Sequence, residues 1–548
     1  MRQLRAPRFA LLWLLPALLG GASCLGCAAS AHPRPAIEAM VPVSDGARLA
    51  THVYLPKGDG PWPVILERTP YNRAKTLAIE FFGNDYAVVT QNLRGTRESE
   101  GEWDVFGHDG WGGPGRRDGL DTVAWVFEQP WCNGNIGLAG FSASGISAQL
   151  LLAAQPPGVK CAFINAASDN FYELVFPRGC YRRNTIEGWA EAKSMLPEFE
   201  RHPTYDAFWA ARDARARADK VNVPVFILSG WFDLAQRSAT AFFQRVHNDG
   251  LPPARGNCKL LMNTLAHAAP SGTLAFPDRE NTNIDAVAGS IKDWFDYWLR
   301  GEDNGIQDKP AVTLFVMTDE AALDAPGNVW RFYENWPPAS TEKRWYLHEG
   351  GRLLDTPPEV AASATTYLYD PTSPTPSLGG NNLYAPSGPH DQREIESRPD
   401  VLVFETEPLQ EPLTVIGAIS VTLYASSDAV DTDFGARLCD VYPDGRSMLM
   451  NEGMVRARYR DSIHEEEFMT PGTVYEFRID LWDTALTFAP GHRIRLDIVS
   501  CSDPRCDPNP NTGEPFRRHT RTVPARNTVR HDAVYPSHLT LPVTRLEP

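Results

Sequence analysis

The stretch Ile136-Gly137-Leu138-Ala139-Gly140-Phe141-Ser142-Ala143-Ser144-Gly145-Ile146-Ser147-Ala148-Gln149-Leu150 runs from a short apolar segment, through a turn of small residues, into a helical segment. A serine nucleophile needs such a place. A sharp strand-to-helix turn lifts the hydroxyl clear of the sheet, and small neighbours relieve crowding in the turn. The N–H groups that open the helix point at a developing oxyanion. Ser142 is therefore the candidate nucleophile. A plain Gly/Ser turn would show the same residues, so the surroundings decide between the two.

Upstream, Pro63-Val64-Ile65-Leu66 and Tyr86-Ala87-Val88-Val89-Thr90-Gln91 have the form of buried parallel strands. Asp118 to Gln129 spaces Leu120, Val123 and Trp125-Val126-Phe127 as a helix does. Strand and helix alternate, which predicts an α/β layer fold with a parallel sheet. Residues 173–221 break the rhythm: Trp189, Phe199, Trp209 and the charged run Ala210 to Arg217 suggest an inserted helical cap. The α/β pattern resumes at Val223-Pro224-Val225-Phe226-Ile227-Leu228 and continues through Ala311 to Val316. From about residue 345 the chain turns to short alternating segments, including Ser420–Tyr424, Thr473–Ile479 and Arg493–Val499. That change predicts an all-β jelly-roll domain. The expected parts are 32–172 and 222–344 for the α/β domain, 173–221 for the cap and 345–548 for the jelly roll.

A serine nucleophile requires a base and an acid, and on an α/β-hydrolase sheet these follow it in the order acid, then base. Asp233, in Ser229-Gly230-Trp231-Phe232-Asp233, comes just after the strand that ends at Leu228. A carboxylate there can orient an imidazole. His267 follows Lys259-Leu260-Leu261-Met262-Asn263 in the same manner and would act first as general base, then as general acid. Taken alone, a loop histidine is more often structural. The order Ser142, Asp233, His267, each after a strand, points to an α/β-hydrolase fold working by acyl transfer, without a cofactor and without a metal.

The chain resembles the cocaine-esterase-type family of CocE/NonD hydrolases, which is related to Xaa-Pro dipeptidyl-peptidases and α-amino-acid ester hydrolases. The resemblance is carried by Arg68-Thr69-Pro70-Tyr71, by Gln91-Asn92-Leu93-Arg94-Gly95 with Ser99-Glu100-Gly101, and by Gln129-Pro130-Trp131 with Asn133-Gly134. Gly230-Trp231-Phe232-Asp233 belongs to it too, as do Pro376 to Gly380, Asp431-Thr432-Asp433-Phe434 and Pro490-Gly491-His492-Arg493 in the C-terminal part. It implies that Tyr71 donates its hydroxyl to the oxyanion beside the N–H of Ala143. It also implies a small-molecule ester or amide substrate. Three departures bear on specificity. Ala143 stands where the family carries Tyr, Leu265 where it carries Trp, and the insertion before Asp233 is short. Trp189 is a candidate pocket residue. An Xaa-Pro peptidase or acylase is the alternative activity, and it would need a cap carboxylate from Glu187, Glu191 or Glu198 to hold an ammonium. A rival of another class is a glycan- or surface-binding protein whose hydrolase domain is degenerate.

The 548 residues exceed one core and call for several domains. Arg2, Arg5 and Arg8, an apolar run from Leu11 to Leu19 and Ala29-Ser30-Ala31 form an exported leader over residues 1–31. A secreted or periplasmic protein is expected. Cys24 and Cys27 lack a good lipobox, which disfavours lipid anchoring. No apolar run is long enough for a membrane span. Loss of the leader moves the net charge from −16 to −19, which argues against nucleic acid as partner. Seven cysteines remain, too few for a disulfide scaffold, although Cys501 and Cys506 are near enough in sequence to bridge. The oligomeric state has no signature in the sequence.

Overall fold

Ten strands build the first sheet: β1 (Ile37–Pro42), β2 (Arg48–Tyr54), β3 (Trp62–Thr69), β4 (Ala87–Asn92), β5 (Cys132–Phe141), β6 (Val159–Asn165), β7 (Val225–Gly230), β8 (Lys259–Asn263), β9 (Val312–Val316) and β10 (Val329–Tyr333). The computed structural model describes residues 34–109, 115–267, 272–384 and 386–546. The expected leader, residues 1–31, lies outside the described residues. The strand order is β1-β2-β4-β3-β5-β6-β7-β8-β9-β10. Pairings from β4 through β9 are parallel, and β1, β2 and β10 add antiparallel edges.

The central strands have the composition that position demands. Every residue of β4 and of β8 is buried, and so are seven of the eight in β3. Strands covered by helices on both faces carry continuous apolar runs in place of an alternation. Helix α1 (Leu77–Phe82), helix α2 (Asp118–Phe127), helix α3 (Ala143–Leu152) and helix α4 (Gln236–Asp249) flank the sheet. All ten residues of α3 are buried, which explains why its sequence is apolar all round and shows no stripe.

Between β6 and β7 the chain forms a run of short helices from Phe171–Val175 to Ala207–Ala210 and a last 3-10 turn, Arg215–Lys220. Their core is aromatic: Trp209 is fully buried among Phe171, Tyr172, Phe176 and Phe199. The charged run seen in the sequence turns partly inward: Arg212 and Asp213 are buried, Arg215 is half-buried and pairs with Asp169 and Glu173 at 2.7 Å each, and Arg217 stays exposed.

The C-terminal part is β-rich. Its eleven strands form one hydrogen-bonded set, antiparallel except for a single parallel bridge between Arg352 and Glu405. The end strands of the set, Ala364–Tyr369 and Ser447–Arg456, do not pair with each other, so it does not close into a barrel. The strand Leu413–Ser427 runs antiparallel along Tyr475–Phe488 and buries alternate residues Val421, Leu423 and Ala425. Position 345 falls inside the strand Thr341–His348, which already belongs to this second set. The architecture therefore changes between Tyr333 and Thr341. Cys501 and Cys506 are both free thiols in buried positions. No helix among the described residues is long and apolar enough to cross a membrane.

Candidate active site

Ser142 sits at the sharp turn between β5 and α3, with φ 56° and ψ −124°. This is a left-handed conformation that a residue with a side chain adopts only at a strain of about 1–3 kcal/mol. Its neighbours explain how the turn closes. A Cβ on Gly140 would lie 2.5 Å from the backbone of Ser144 and Gly145, and one on Gly145 would lie 2.5 Å from the Cβ of Ala167. The Ser142 N–H donates to Asn165 O at 2.9 Å, which fastens the turn to β6. Ala143 opens α3, so its amide has no acceptor within the helix.

Asp233 and His267 leave the C-terminal ends of β7 and β8. The structure brings both to Ser142. His267 Nε2 lies 2.9 Å from Ser142 Oγ, and His267 Nδ1 lies 2.9 Å from Asp233 Oδ2. With the proton on Nδ1, the imidazole donates to the carboxylate and presents Nε2 as acceptor to the serine hydroxyl. Asp233 is buried, and its Oδ1 accepts the Ala235 N–H at 2.6 Å. The His267 ring stacks on Phe141 with centroids 5.0 Å apart. A hydroxyl held in this way can lose its proton as it attacks a carbonyl carbon.

Leu265, where the resemblance leads one to expect Trp, holds the loop through its backbone. Its N–H donates to Asn263 Oδ1 at 2.8 Å and its carbonyl accepts the Phe232 N–H at 3.2 Å. That carbonyl would stand 2.0 Å from a Cβ on Gly230, so only glycine lets the acid and base loops cross there. Neither bond depends on the side chain at 265. His247 lies apart from this relay, in the last turn of α4 against Phe243, and burial holds its pKa below the ordinary value.

Tyr71 follows β3, and its phenol faces the Ser142 hydroxyl and the Trp189 indole. Burial, followed by the nearby charge of Glu191, pushes the phenol well above its ordinary pKa, so it stays a neutral donor. Trp189 is buried between Phe106 and Phe171, and its indole N–H completes no hydrogen bond. Of the three cap carboxylates, Glu187 pairs with Arg517 and Glu198 with Arg201. Glu191 has no cation within ion-pair distance among the described residues, and its charge is the one that Tyr71 feels. Below the turn, the fully buried Glu67 of β3 accepts the Ala78 N–H at 3.1 Å, and burial pushes its pKa up to about 7. Phe141 and Glu67 gave no signal in the sequence. One is an unspecified position of the turn motif, and the other is a lone acid inside an apolar strand.

Comparison with known proteins places this geometry. Residues 45–198 and 190–269 match the family model described as X-Pro dipeptidyl-peptidase (S15 family). Residues 304–540 match the model described as X-Pro dipeptidyl-peptidase C-terminal non-catalytic domain. The cocaine esterase of Rhodococcus sp. (strain MB1 Bresler) is 32% identical over 93% of this chain and 98% of its own. The chain belongs to the cocaine-esterase-type (CocE/NonD) hydrolase family. An α-amino-acid ester hydrolase structure matches this CocE/NonD hydrolase with TM-score 0.79 and 25% identity, covering 98% of this chain and 100% of its own. An aminopeptidase from a marine sediment archaeon, Thaumarchaeota archaeon, shares the fold with TM-score 0.80 at 24% identity, over 93% of this chain and 96% of its own. Every candidate site residue lies inside the stretch matched to the S15 family, and the β-rich part lies in the stretch matched to its C-terminal domain.

Proposed function

We propose that this CocE/NonD hydrolase cleaves acyl esters through a covalent acyl-enzyme formed on Ser142. The observation that carries the reading is the relay from Asp233 through His267 to Ser142, with both links 2.9 Å long. Ser142 Oγ attacks the acyl carbon while its proton passes to His267 Nε2. Asp233 holds the imidazole in the required tautomer and stabilises the imidazolium. The Tyr71 O–H and the Ala143 N–H receive the oxyanion. The imidazolium then protonates the leaving alkoxide, and water enters by the same steps in reverse order. Trp189 lines the acyl pocket beside Tyr71, where its unused N–H adds a donor. The similarity to the cocaine esterase of Rhodococcus supports an ester as substrate. A fluorophosphonate probe tests the reading: wild type labels on Ser142, and Ser142→Ala neither labels nor turns over p-nitrophenyl esters. Equal labelling of the two would sink it and favour a binding role.

A second reading has one observation of its own. Glu191 places a negative charge near Tyr71, where it could hold the ammonium of an amino-acyl or dipeptidyl substrate. Xaa-Pro-p-nitroanilides should then outrun simple p-nitrophenyl acyl esters, and Glu191→Gln should raise KM for the former alone. Export belongs to the same proposal. The secreted protein should begin near residue 32, and a cell fraction holding the uncleaved chain would contradict it.

A further inference from the structure

Asp233 is held from outside its own domain. Within the α/β domain, its N–H donates to Gly230 O at 3.0 Å. From the β-rich domain, Asn381 Nδ2 donates to Asp233 O at 2.8 Å and to Trp231 O at 3.1 Å. From the cap, Arg182 Nη1 donates to Leu234 O at 3.2 Å, and its Nη2 donates to Asn381 O at 3.1 Å. Three carbonyls of the acid loop thus end on two side chains from other parts of the chain, and those two parts are bonded to each other.

Both side chains are buried, Arg182 to 1% exposure and Asn381 to 3%. Arg182 has no carboxylate within 4 Å among the described residues. Its acceptors are backbone carbonyls, and its guanidinium lies 5.1 Å from the Trp482 ring centre in the β-rich domain. Burial pulls its pKa down to about 9, so it remains a cation at neutral pH. A buried cation without an ion-pair partner carries a desolvation penalty, which the Glu452 and Asp233 charges and the Trp482 ring offset only in part. What it provides is direction: two donors fixed on two loops that belong to different domains.

We propose that Arg182 and Asn381 form an interdomain clamp that positions the Asp233 loop for the reaction. Neither touches the reacting atoms, so both are positioning residues. The inference rests on the Asp233–His267–Ser142 reading given above. With the clamp released, the carbonyls of Trp231, Asp233 and Leu234 lose their side-chain donors, the turn is held only by its bonds within the α/β domain, and the carboxylate drifts from His267 Nδ1. A misplacement of about 1 Å costs on the order of 100-fold in rate. Tyr71, Trp189 and Glu191, to which the proposed function gives the substrate, make no hydrogen bond to either clamp residue among the described residues, so binding is spared. A domain whose family model is described as non-catalytic would then contribute to the chemical step.

The test uses the full chain with Asn381→Leu, Arg182→Met and Arg182→Lys. It reads kcat and KM on a p-nitrophenyl ester, the rate of fluorophosphonate labelling at Ser142, and thermal melting. Asn381→Leu and Arg182→Met should lower kcat by about 10- to 100-fold with KM within about twofold, and should slow labelling in parallel. Arg182→Lys should recover part of the rate, because an ammonium keeps a charged donor for one of the two carbonyls but lacks the fork that reaches both. If Arg182→Met does not fold, Asn381→Leu and Asn381→Ser carry the comparison. A folded Asn381→Leu with wild-type kcat, a change confined to KM, or an Arg182→Lys as slow as Arg182→Met would each overturn the clamp. Wild type that fails to label on Ser142 would instead refute the triad itself. Labelled wild type with equally fast variants removes the clamp alone.

Discussion

Replacing Tyr71 by Phe removes one hydroxyl and keeps the ring. The phenol is the side-chain donor that faces Ser142, and it is un-ionised at any working pH because burial and the Glu191 charge push its pKa up. Loss of one oxyanion donor of this kind costs about 3–4 kcal/mol of transition-state stabilisation. At about 1.4 kcal/mol per factor of ten, kcat should fall by roughly 100- to 1000-fold. KM should change little, since the donor acts on charge that develops only after attack. The fold should be spared. The backbone at 71 is fastened by its N–H to Thr69 Oγ1 at 3.1 Å and by its carbonyl to the Asn92 amide, neither of which involves the phenol. The assay is steady-state turnover of a p-nitrophenyl ester, with the acylation burst followed separately and melting as control. The Ala143 N–H remains, so the variant should stay above Ser142→Ala. A variant that folds and turns over within about threefold of wild type would refute the assignment of Tyr71 and leave the oxyanion to backbone donors.

Two further perturbations address the acid and the floor of the site. Asp233→Asn keeps an oxygen for the Ala235 N–H but presents an amide where His267 needs an acceptor, which favours the wrong tautomer. The expected loss is about 10³- to 10⁴-fold in kcat, read by the same ester assay, and a loss under about tenfold would remove Asp233 from the relay. Glu67 has its folded pKa raised to about 7 from an ordinary 4.5, so it binds a proton in the native state more tightly than in the unfolded chain. Its contribution is fully present below about pH 4.5 and is lost as pH rises through 7, a swing of about 3 kcal/mol. Denaturant unfolding at pH 5 and pH 8 should show that decline in wild type and a flatter profile in Glu67→Gln, whereas equal slopes would contradict the assignment.

The α/β half was legible because its signals are local. The apolar runs at 63–66 and 86–91 needed only to be buried on both faces to become β3 and β4, and the glycines around Ser142 announced a turn too tight for side chains. The order of Asp233 and His267 along the chain carried the rest of the site. Other features had no local trace. The buried Arg212 and Asp213, with Arg215 paired to Asp169 and Glu173, draw the first half of a solvent-like charged run into the cap. The strand Thr341–His348 has an exposed first half, so its membership of the β-rich domain rests on pairing with His538–Val543 at the far end of the chain. The same limit applies to Glu187, Glu191 and Glu198. Their spacing is equivalent in sequence, and it is Arg517 and Arg201 that pair two of them and leave Glu191 as the one whose charge reaches Tyr71.

The β-rich domain is joined to the catalytic machinery by more than a linker. Helix α4 begins three residues after Asp233, and its first turns are fixed on the strand Tyr475–Phe488. Gln236 Nε2 donates to Asp483 O at 2.9 Å, Arg237 pairs with Asp480 at 3.1 Å, and Thr240 bonds the Asp483 carboxylate. Next to β9, the Met317 N–H donates to Ala485 O at 2.9 Å and the Thr487 N–H returns to Met317 O at 2.8 Å. One contiguous apolar core runs from Val53 in β2 to Leu541 near the C-terminus. Cutting between the two parts would expose that core to water. The acid loop therefore lies between β7 and β8 on one side and the strand Tyr475–Phe488 with Asn381 on the other. On the clamp proposal, a change that moves Asn381 or Arg182 acts on Ser142 through the bond from Asp233 to His267.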